Sequence, residues 1–113
     1  MTEGIVSFKE WEKLDLRVGK ILDVKDHPNA NKLYLLNVDL GKLGKRNLVA
    51  GLREHYKPEE LNGKLCIVFL NLEPATIRGV QSEGMILASV SEDRKKIFII
   101  APEKKIELGS KIS

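Results

Sequence analysis

The chain has 113 residues, which is enough for one domain with a single hydrophobic core. Its hydrophobic and charged fractions, 42% and 31%, are ordinary for a soluble globular protein, and the longest apolar run, LCIVFL (65–70), is too short to span a bilayer. A lone cysteine without a disulfide partner and a start that lacks the pattern of a secretory signal favour a reducing, cytoplasmic location without a membrane. The net charge of +3 is mildly basic and is by itself weak evidence for a nucleic-acid partner.

The first predicted elements are a short helix and a long strand. Ser7 followed by Glu10 is a capping-box pattern, so SFKEWEKLD (7–15) is predicted to begin with a helix. The next residues alternate between apolar and polar up to the turn-forming segment DHPNAN (26–31), which predicts a strand. Gly19 disturbs this alternation and indicates a bulge or bend inside the strand.

The middle of the chain is predicted to contain three strands and one helix. KLYLLNVDLG (32–41) and RNLVAGL (46–52) read as strands. YKPEELNGK (56–64) has a proline near its start and Asn-Gly near its end, which favours one short helix or turn. The run 65–70 has no polar alternation, which is typical of a strand buried on both faces.

The last third begins with a long connection, NLEPATIRGVQSEG (71–84). Strands are predicted at GMILASV (84–90) and KIFIIA (96–101), and apolar residues alternate again in the tail. A long, bent first strand and a helix between the third and fourth strands predict an all-β fold, a five-stranded Greek-key barrel of the OB type. An N-terminal helix and a C-terminal β extension would complete it.

No pattern predicts catalysis, a cofactor or a metal site. His27 and His55 lack the partners at suitable spacing that a zinc site needs, and Cys66 lies between apolar neighbours as a small core residue. Glycine-rich phosphate loops are absent from the sequence. We therefore expect a protein that is not an enzyme by itself.

Four segments in order resemble the tRNA-binding domain family: DLRVGKILDVKDHPNANKLYLLNVDLG, VAGL, YKPEELNGK and NLEPATIRGVQSEGMILA. This family includes free-standing tRNA-binding proteins, the C-terminal domain or β subunit of methionyl-tRNA synthetase, and EMAP-II-like cytokine precursors. The resemblance covers the chain from about residue 7 to its end. It implies a single tRNA-binding OB domain over 1–113, with a core at about 15–90 and a C-terminal dimerisation extension at about 91–113.

The strongest motif of the family falls on the connection at 71–85. The matching residues are Asn71, Leu72, Pro74, Arg78, Gly79, Ser82, Gly84 and Met85. Two positions that usually hold lysine are Glu73 and Thr76 here, so phosphate attraction should come from basic residues outside the motif.

The resemblance and the basic clusters together give nine candidate RNA contacts: Asn29, Lys32, Lys45, Arg46, Arg53, Asn71, Arg78, Ser82 and Met85. Arg78 is suited to a phosphate or to the face of an unstacked base. Each candidate also has a structural alternative: a turn hydroxyl for Ser82, loop anchors for the two asparagines, core packing for Met85 and plain solvation for the cations.

We expect a module that binds tRNA by its shape and backbone, as the β subunit of methionyl-tRNA synthetase or as an accessory to it. The apolar run at 97–100 and the apolar tail predict a homodimer, although the tail alternatively caps one end of the barrel. The rival function is a CsaA-like, peptide-binding export chaperone of the same fold, since the motif has lost two lysines.

Overall fold

The structure, a computed structural model, describes residues 4–113. Two short helices, α1 (Phe8–Glu12) and α2 (Pro58–Leu61), accompany nine strands: β1 (Leu16–Asp26), β2 (Tyr34–Asp39), β3 (Lys45–Ala50), β4 (Leu65–Phe69), β5 (Ala75–Ile77), β6 (Val80–Ser82), β7 (Met85–Ile86), β8 (Ala88–Val90) and β9 (Ile97–Ile99). The all-β class, the N-terminal helix and the helix between the third and fourth strands are confirmed. Within residues 4–113, neither helix is long and apolar enough to cross a membrane.

Five strands form an antiparallel sheet in the order β3-β2-β1-β4-β7, which curls into a nearly closed barrel. Strand β1 serves both halves, because Leu16 to Lys20 pair with β4 while Lys20 to Asp26 pair with β2. This sharing explains why the first strand is long and bent. The predicted OB-type barrel is confirmed.

The sequence pattern had indicated a bulge at Gly19, but the bulge in β1 lies further along the strand. The register against β2 shifts between Ile21 and Asp23 instead. Gly19 has a different role, since a Cβ atom on it would lie 2.5 Å from Cγ1 of Val38. Its missing side chain therefore leaves room for the Val38 side chain beside β1.

The segment at 71–84 is not the long loop that we predicted. It folds back on itself as the β5–β6 hairpin, in which Ala75 pairs with Ser82 and Ile77 pairs with Val80. The predicted strand at 84–90 is likewise two strands, because β7 pairs with β4 whereas β8 pairs with β9. The barrel strand thus ends where the C-terminal extension begins.

The hydrophobic core fills the barrel, and a smaller cluster lies on the opposite face of β1 and β4. The main core includes Ile21, Leu36 and Val68, each at most 1% exposed. In the smaller cluster, Leu108 and Ile112 from the tail pack against buried residues of β1 and β4. The tail is held there by backbone hydrogen bonds to β1, so at least part of it packs against this chain's own barrel.

Candidate nucleic-acid interface

The tip of the β5–β6 hairpin presents Arg78 to solvent. Arg78 and Gly79 form the two-residue turn, and both have positive φ angles, 52° and 86°. Turns of this kind match the right-handed twist of paired strands, and glycine adopts such angles freely. Arg78 carries a side chain in the left-handed region, so the surrounding structure must hold its backbone there.

That support comes from the turn after β1. His27 is 3% exposed, and its ring joins the two loops: Nδ1 accepts from the backbone N–H of Asn29 at 2.9 Å, and Nε2 lies 3.0 Å from the carbonyl oxygen of Ile77. Because Nδ1 accepts, the ring hydrogen is on Nε2 and donates to Ile77. Asn29 adds a second link, since its Nδ2 donates to the carbonyl of Arg78 at 3.2 Å.

Three predicted cations come together at this end of the barrel, and we call Lys32, Arg53 and Arg78 the basic edge. Lys32 and Arg78 line one cavity of about 430 Å³ between the first turn and the hairpin tip. The backbone N–H of Arg53 donates to the carbonyl of Lys32 at 3.4 Å, which places the two residues side by side. Arg53 also forms an ion pair with Asp26 at 3.2 Å, whereas Lys32 and Arg78 pair with no carboxylate among residues 4–113.

Ser82 lies away from this edge, at the base of the hairpin, and is only 3% exposed. Its hydroxyl accepts from the backbone N–H of Val49 at 2.9 Å and donates to the carbonyl of Gly84 at 2.9 Å. The hydroxyl thereby links β3 to the hairpin where their strands do not pair directly. Contact with RNA would require this hydroxyl to leave a buried position and two partners.

Arg46 and Asn71 also make side-chain hydrogen bonds within the protein. Nη1 of Arg46 donates to the carbonyls of Leu70 and Glu83, at 2.7 and 3.1 Å. The amide of Asn71 accepts from the backbone N–H of Asp15 at 2.7 Å and donates to the carbonyl of Lys13 at 2.6 Å. These contacts match the structural alternative for Asn71, an anchor at the end of a buried strand.

Met85 and Lys45 are exposed but stand apart from the basic edge. Met85 is 42% exposed beside Phe69, so it is not the core residue that its position at the start of a strand favoured. Lys45 begins β3 and pairs with Asp39, at the opposite end of that strand from Ala50. Five residues of strand place it about 17 Å from the end nearest Arg53.

The sequence did not reveal two features of the region around the β5–β6 hairpin. His27 was assigned to a turn, although it is the buried residue that joins both loops. The only local signal for its role was its place two residues before Asn29, from whose backbone N–H it accepts a hydrogen bond. The second is a groove on the outer face of β2 and β3, lined in part by Asn37, Asn47 and Gln81. Polar residues at alternate positions of a strand indicated an outer face but not a cavity.

The thiol of Cys66 is buried. Burial raises the pKa of the Cys66 thiol to about 12, so the reactive thiolate is scarce at neutral pH. Burial also raises the pKa of Tyr34, which agrees with its predicted inward orientation. Within residues 4–113, no three His, Cys, Asp or Glu side chains are placed to hold a metal ion.

Comparisons with known proteins show what the sequence and the fold of this chain resemble. A methionine–tRNA ligase of Pyrococcus horikoshii is 54% identical over 107 residues, which cover 95% of this chain and 14% of the ligase. Among solved structures, a MetRS-related protein from Pyrococcus horikoshii superimposes with a TM-score of 0.89 at 30% identity, covering 96% of this chain and 98% of that one. The chaperone CsaA from Bacillus anthracis superimposes with a TM-score of 0.87 at 28% identity, covering 97% and 100%.

The chain thus corresponds to a small segment of the ligases and to nearly the whole of the smaller proteins. The sequence profile described as a putative tRNA binding domain matches residues 16–111, from the first residue of β1 to the tail. The basic edge, the hairpin and the barrel all lie within that match. The chain belongs to the putative tRNA binding domain family.

Proposed function

We propose that this chain binds tRNA at the basic edge and assists aminoacylation as a non-catalytic module of methionyl-tRNA synthetase, either as its β subunit or as an accessory protein. The observation that supports this most is the convergence of Lys32, Arg53 and Arg78 on one edge of a domain from this family. A cytoplasmic location would follow from that role. The whole ligase's catalytic activity would reside in another chain or segment.

Recognition would depend on the backbone and shape of the RNA. The hairpin itself carries Glu73 and Thr76 where lysines are common in the family, so it offers little positive charge besides Arg78. Phosphates would therefore meet the basic edge, with Arg53 partly neutralised by Asp26. Such contacts are salt-dependent because phosphate binding releases counterions.

The test is fluorescence anisotropy with an unmodified tRNA transcript over a range of salt concentrations. Three phosphate contacts at a slope of about −0.7 each predict that affinity falls roughly 20-fold between about 50 and 200 mM salt. Arg78→Ala should weaken binding and flatten the slope by about 0.7. Absence of salt-sensitive binding at micromolar protein would contradict the proposal.

Arg94→Ala is a matched control for that variant. Arg94 is another exposed arginine with a positive φ angle, 62°, but it lies in the turn between β8 and β9. If binding depended only on total charge, the two variants would lose affinity equally. Under the proposal, Arg94→Ala retains nearly the full affinity of the parent protein.

The module would act as a homodimer that places two basic edges against one folded tRNA. Apolar side chains remain exposed in both terminal regions, including Phe8 at 72%, Phe98 at 52% and Ile106 at 52%. Such surface is costly to leave in water and is reduced by pairing of subunits. Two linked sites would also raise the overall affinity without new contacts at either site.

Peptide-binding chaperone activity is the second candidate, since CsaA chaperones superimpose over almost their full length. The identity to them is lower, 28% and 31%, than the 54% shared with the ligase segment. Unfolded polypeptide that displaces tRNA at equal or lower concentration would favour this function. Failure of polypeptide to compete would favour tRNA.

A further inference from the structure

A tyrosine connects the C-terminal strands to the basic edge. Tyr56 lies in the segment 52–56, which follows β3 and carries Arg53; we call this segment the Arg53 turn. The Tyr56 ring is partly buried and packs against the main core together with Ile97 and Ile99 of β9. Tyr56 was not among the nine candidate contacts.

Two contacts tie the Tyr56 side chain to the hairpin that β8 and β9 form, which we call the C-terminal hairpin. Its hydroxyl oxygen accepts a hydrogen bond from the backbone N–H of Ile99 at 3.1 Å. Its ring meets the ring of Phe98 edge to face, with the centroids 6.4 Å apart and the planes at 83°. Aromatic pairs of this geometry attract each other because the positive edge of one ring meets the negative face of the other.

The backbone of Tyr56 is joined to the surroundings of Arg53. Its carbonyl accepts from the hydroxyl of the buried Tyr34 at 2.7 Å, and its N–H donates to the carbonyl of Leu52 at 2.9 Å. Tyr34 lies opposite Asp26 in the β1–β2 pair, and Asp26 is the ion-pair partner of Arg53. Tyr56 thus connects the C-terminal hairpin with the backbone that carries Arg53 and with the strands that carry Asp26.

The direct links between Arg53 and its neighbours are weak. The hydrogen bond from its N–H to the Lys32 carbonyl is long, at 3.4 Å, and the Asp26 side chain in its ion pair is 61% exposed. Long hydrogen bonds and exposed ion pairs contribute little to stability. Leu52 is 2% exposed and fixes the start of the Arg53 turn in the core, so the end of the turn at Tyr56 is the part that needs a separate anchor.

We propose that Tyr56 is a positioning residue: through its side chain the C-terminal hairpin holds the Arg53 turn, so that Arg53 presents its guanidinium to RNA phosphate at the basic edge. This inference rests on the proposed function. It gives the C-terminal extension an effect on RNA affinity that is separate from pairing of subunits. The coupling is reciprocal, so bound RNA in turn stabilises the contact between Tyr56 and the hairpin.

Tyr56→Phe tests this link because it removes the hydroxyl alone. The ring contact with Phe98 and the backbone bonds to Tyr34 and Leu52 remain, so the variant keeps the fold. In fluorescence anisotropy we expect an unmodified tRNA transcript to bind about fivefold more weakly, the equivalent of one hydrogen bond. The slope of affinity against salt should flatten by up to about 0.7, the value for one phosphate contact.

Ser89→Ala is the matched control within the same hairpin. The Ser89 hydroxyl donates to the carbonyl of Phe98 at 3.1 Å, so this variant also removes one hydroxyl hydrogen bond, but it leaves the bond between Ile99 and Tyr56 intact. Its tRNA affinity and salt slope should match those of the parent protein. Added to Arg53→Ala, Tyr56→Phe should lower the affinity no further, because the residue that it positions is already absent.

Amide hydrogen exchange, followed by NMR without RNA, tests the physical link itself. The backbone N–H groups of Arg53, His55 and Tyr56 all donate to carbonyls in or beside the Arg53 turn. In Tyr56→Phe these amides should exchange about fivefold faster, whereas Ser89→Ala should leave their rates unchanged. Amides between β2 and β3 are the internal reference and should keep their rates in both variants.

Four outcomes would overturn the inference. The first is an unchanged tRNA affinity and salt slope in Tyr56→Phe. The second is an equal loss of affinity in Tyr56→Phe and Ser89→Ala, which would attribute the loss to the stability of the hairpin. The third is a further loss when Tyr56→Phe is added to Arg53→Ala, and the fourth is unchanged exchange in the Arg53 turn. Absence of tRNA binding by the parent protein would instead refute the proposed function, and the exchange rates would still decide whether Tyr56 holds the turn.

Discussion

Substitutions of His27 separate the two hydrogen bonds that this ring makes, and they test whether the first turn positions Arg78. His27→Ala removes both bonds from a side chain that is 3% exposed. At about 1 kcal/mol for each bond, plus the cavity left behind, we expect a loss of about 2–4 kcal/mol in unfolding free energy. For a domain of this size, that corresponds to a decrease of roughly 8–16 °C in Tm.

His27→Asn is the informative partner. An asparagine Oδ1 can replace Nδ1 as the acceptor for the backbone N–H of Asn29, because asparagine commonly makes this bond two residues ahead. It is too short to replace Nε2 as the donor to Ile77. The turn after β1 is therefore preserved while the link to the hairpin is lost, at a smaller cost in stability than in His27→Ala.

RNA affinity should respond to the lost link. Losing about 1 kcal/mol that holds the Arg78 turn corresponds to roughly fivefold weaker tRNA binding, measured by anisotropy well below the Tm. In an Arg78→Ala background, His27→Asn should add no further loss, because the residue that it positions is already absent. If His27→Asn weakened binding equally in both backgrounds, or not at all, the positioning role of His27 would be refuted.

Three other substitutions test the remaining roles. Ser82→Ala leaves the Val49 N–H and the Gly84 carbonyl without their partner, which should lower the unfolding free energy by about 2 kcal/mol in urea denaturation. The tRNA affinity of this variant should stay within about twofold of the parent's. A larger loss of affinity would indicate that Ser82 contacts the RNA. Because burial raises the pKa of Cys66 to about 12, its thiol ionises at a lower pH in the unfolded chain than in the folded protein, so Tm should fall as pH rises from about 9 towards 12. Cys66→Ala should lose this part of the decline in Tm. An identical decline in the variant would exclude the thiol as its cause. Phe98→Asp tests the proposed homodimer, which it should shift towards monomer in sedimentation equilibrium; a dimer of unchanged affinity would place the interface elsewhere.

Most of the fold could be predicted because its signals are local. The Ser7–Glu10 capping box forms as expected. Apolar alternation located β1, and an unbroken apolar run located β4, each within a few residues. The β5–β6 hairpin was missed because its strands have three residues each, too few to show a period. Its turn is Arg-Gly, whereas Asn-Gly is the strong signal for a two-residue hairpin.

The candidate site was harder to predict because it depends on contacts between distant parts of the chain. Ser82 bonds to a backbone group 33 residues away, and His27 to one 50 residues away. No local pattern distinguishes an exposed hydroxyl from one that closes a barrel. The sequence offered Lys32, Lys45 and Arg53 alike as candidate cations, and only the fold separates Lys32 and Arg53 from Lys45 at the far end of β3.

The family motif at 71–85 therefore combines two physical roles. Its base, with Ser82 and Glu83, connects the hairpin to β3 and completes the barrel, while its tip presents Arg78 at the basic edge. A substitution at the base would weaken RNA binding by reducing the folded fraction, and the loss would disappear at temperatures well below the Tm. Under the proposed function, a substitution at the tip would remove an RNA contact, and that loss of affinity would persist at every temperature where the domain is folded. The temperature dependence of the loss in RNA affinity thus distinguishes the two roles within a single motif.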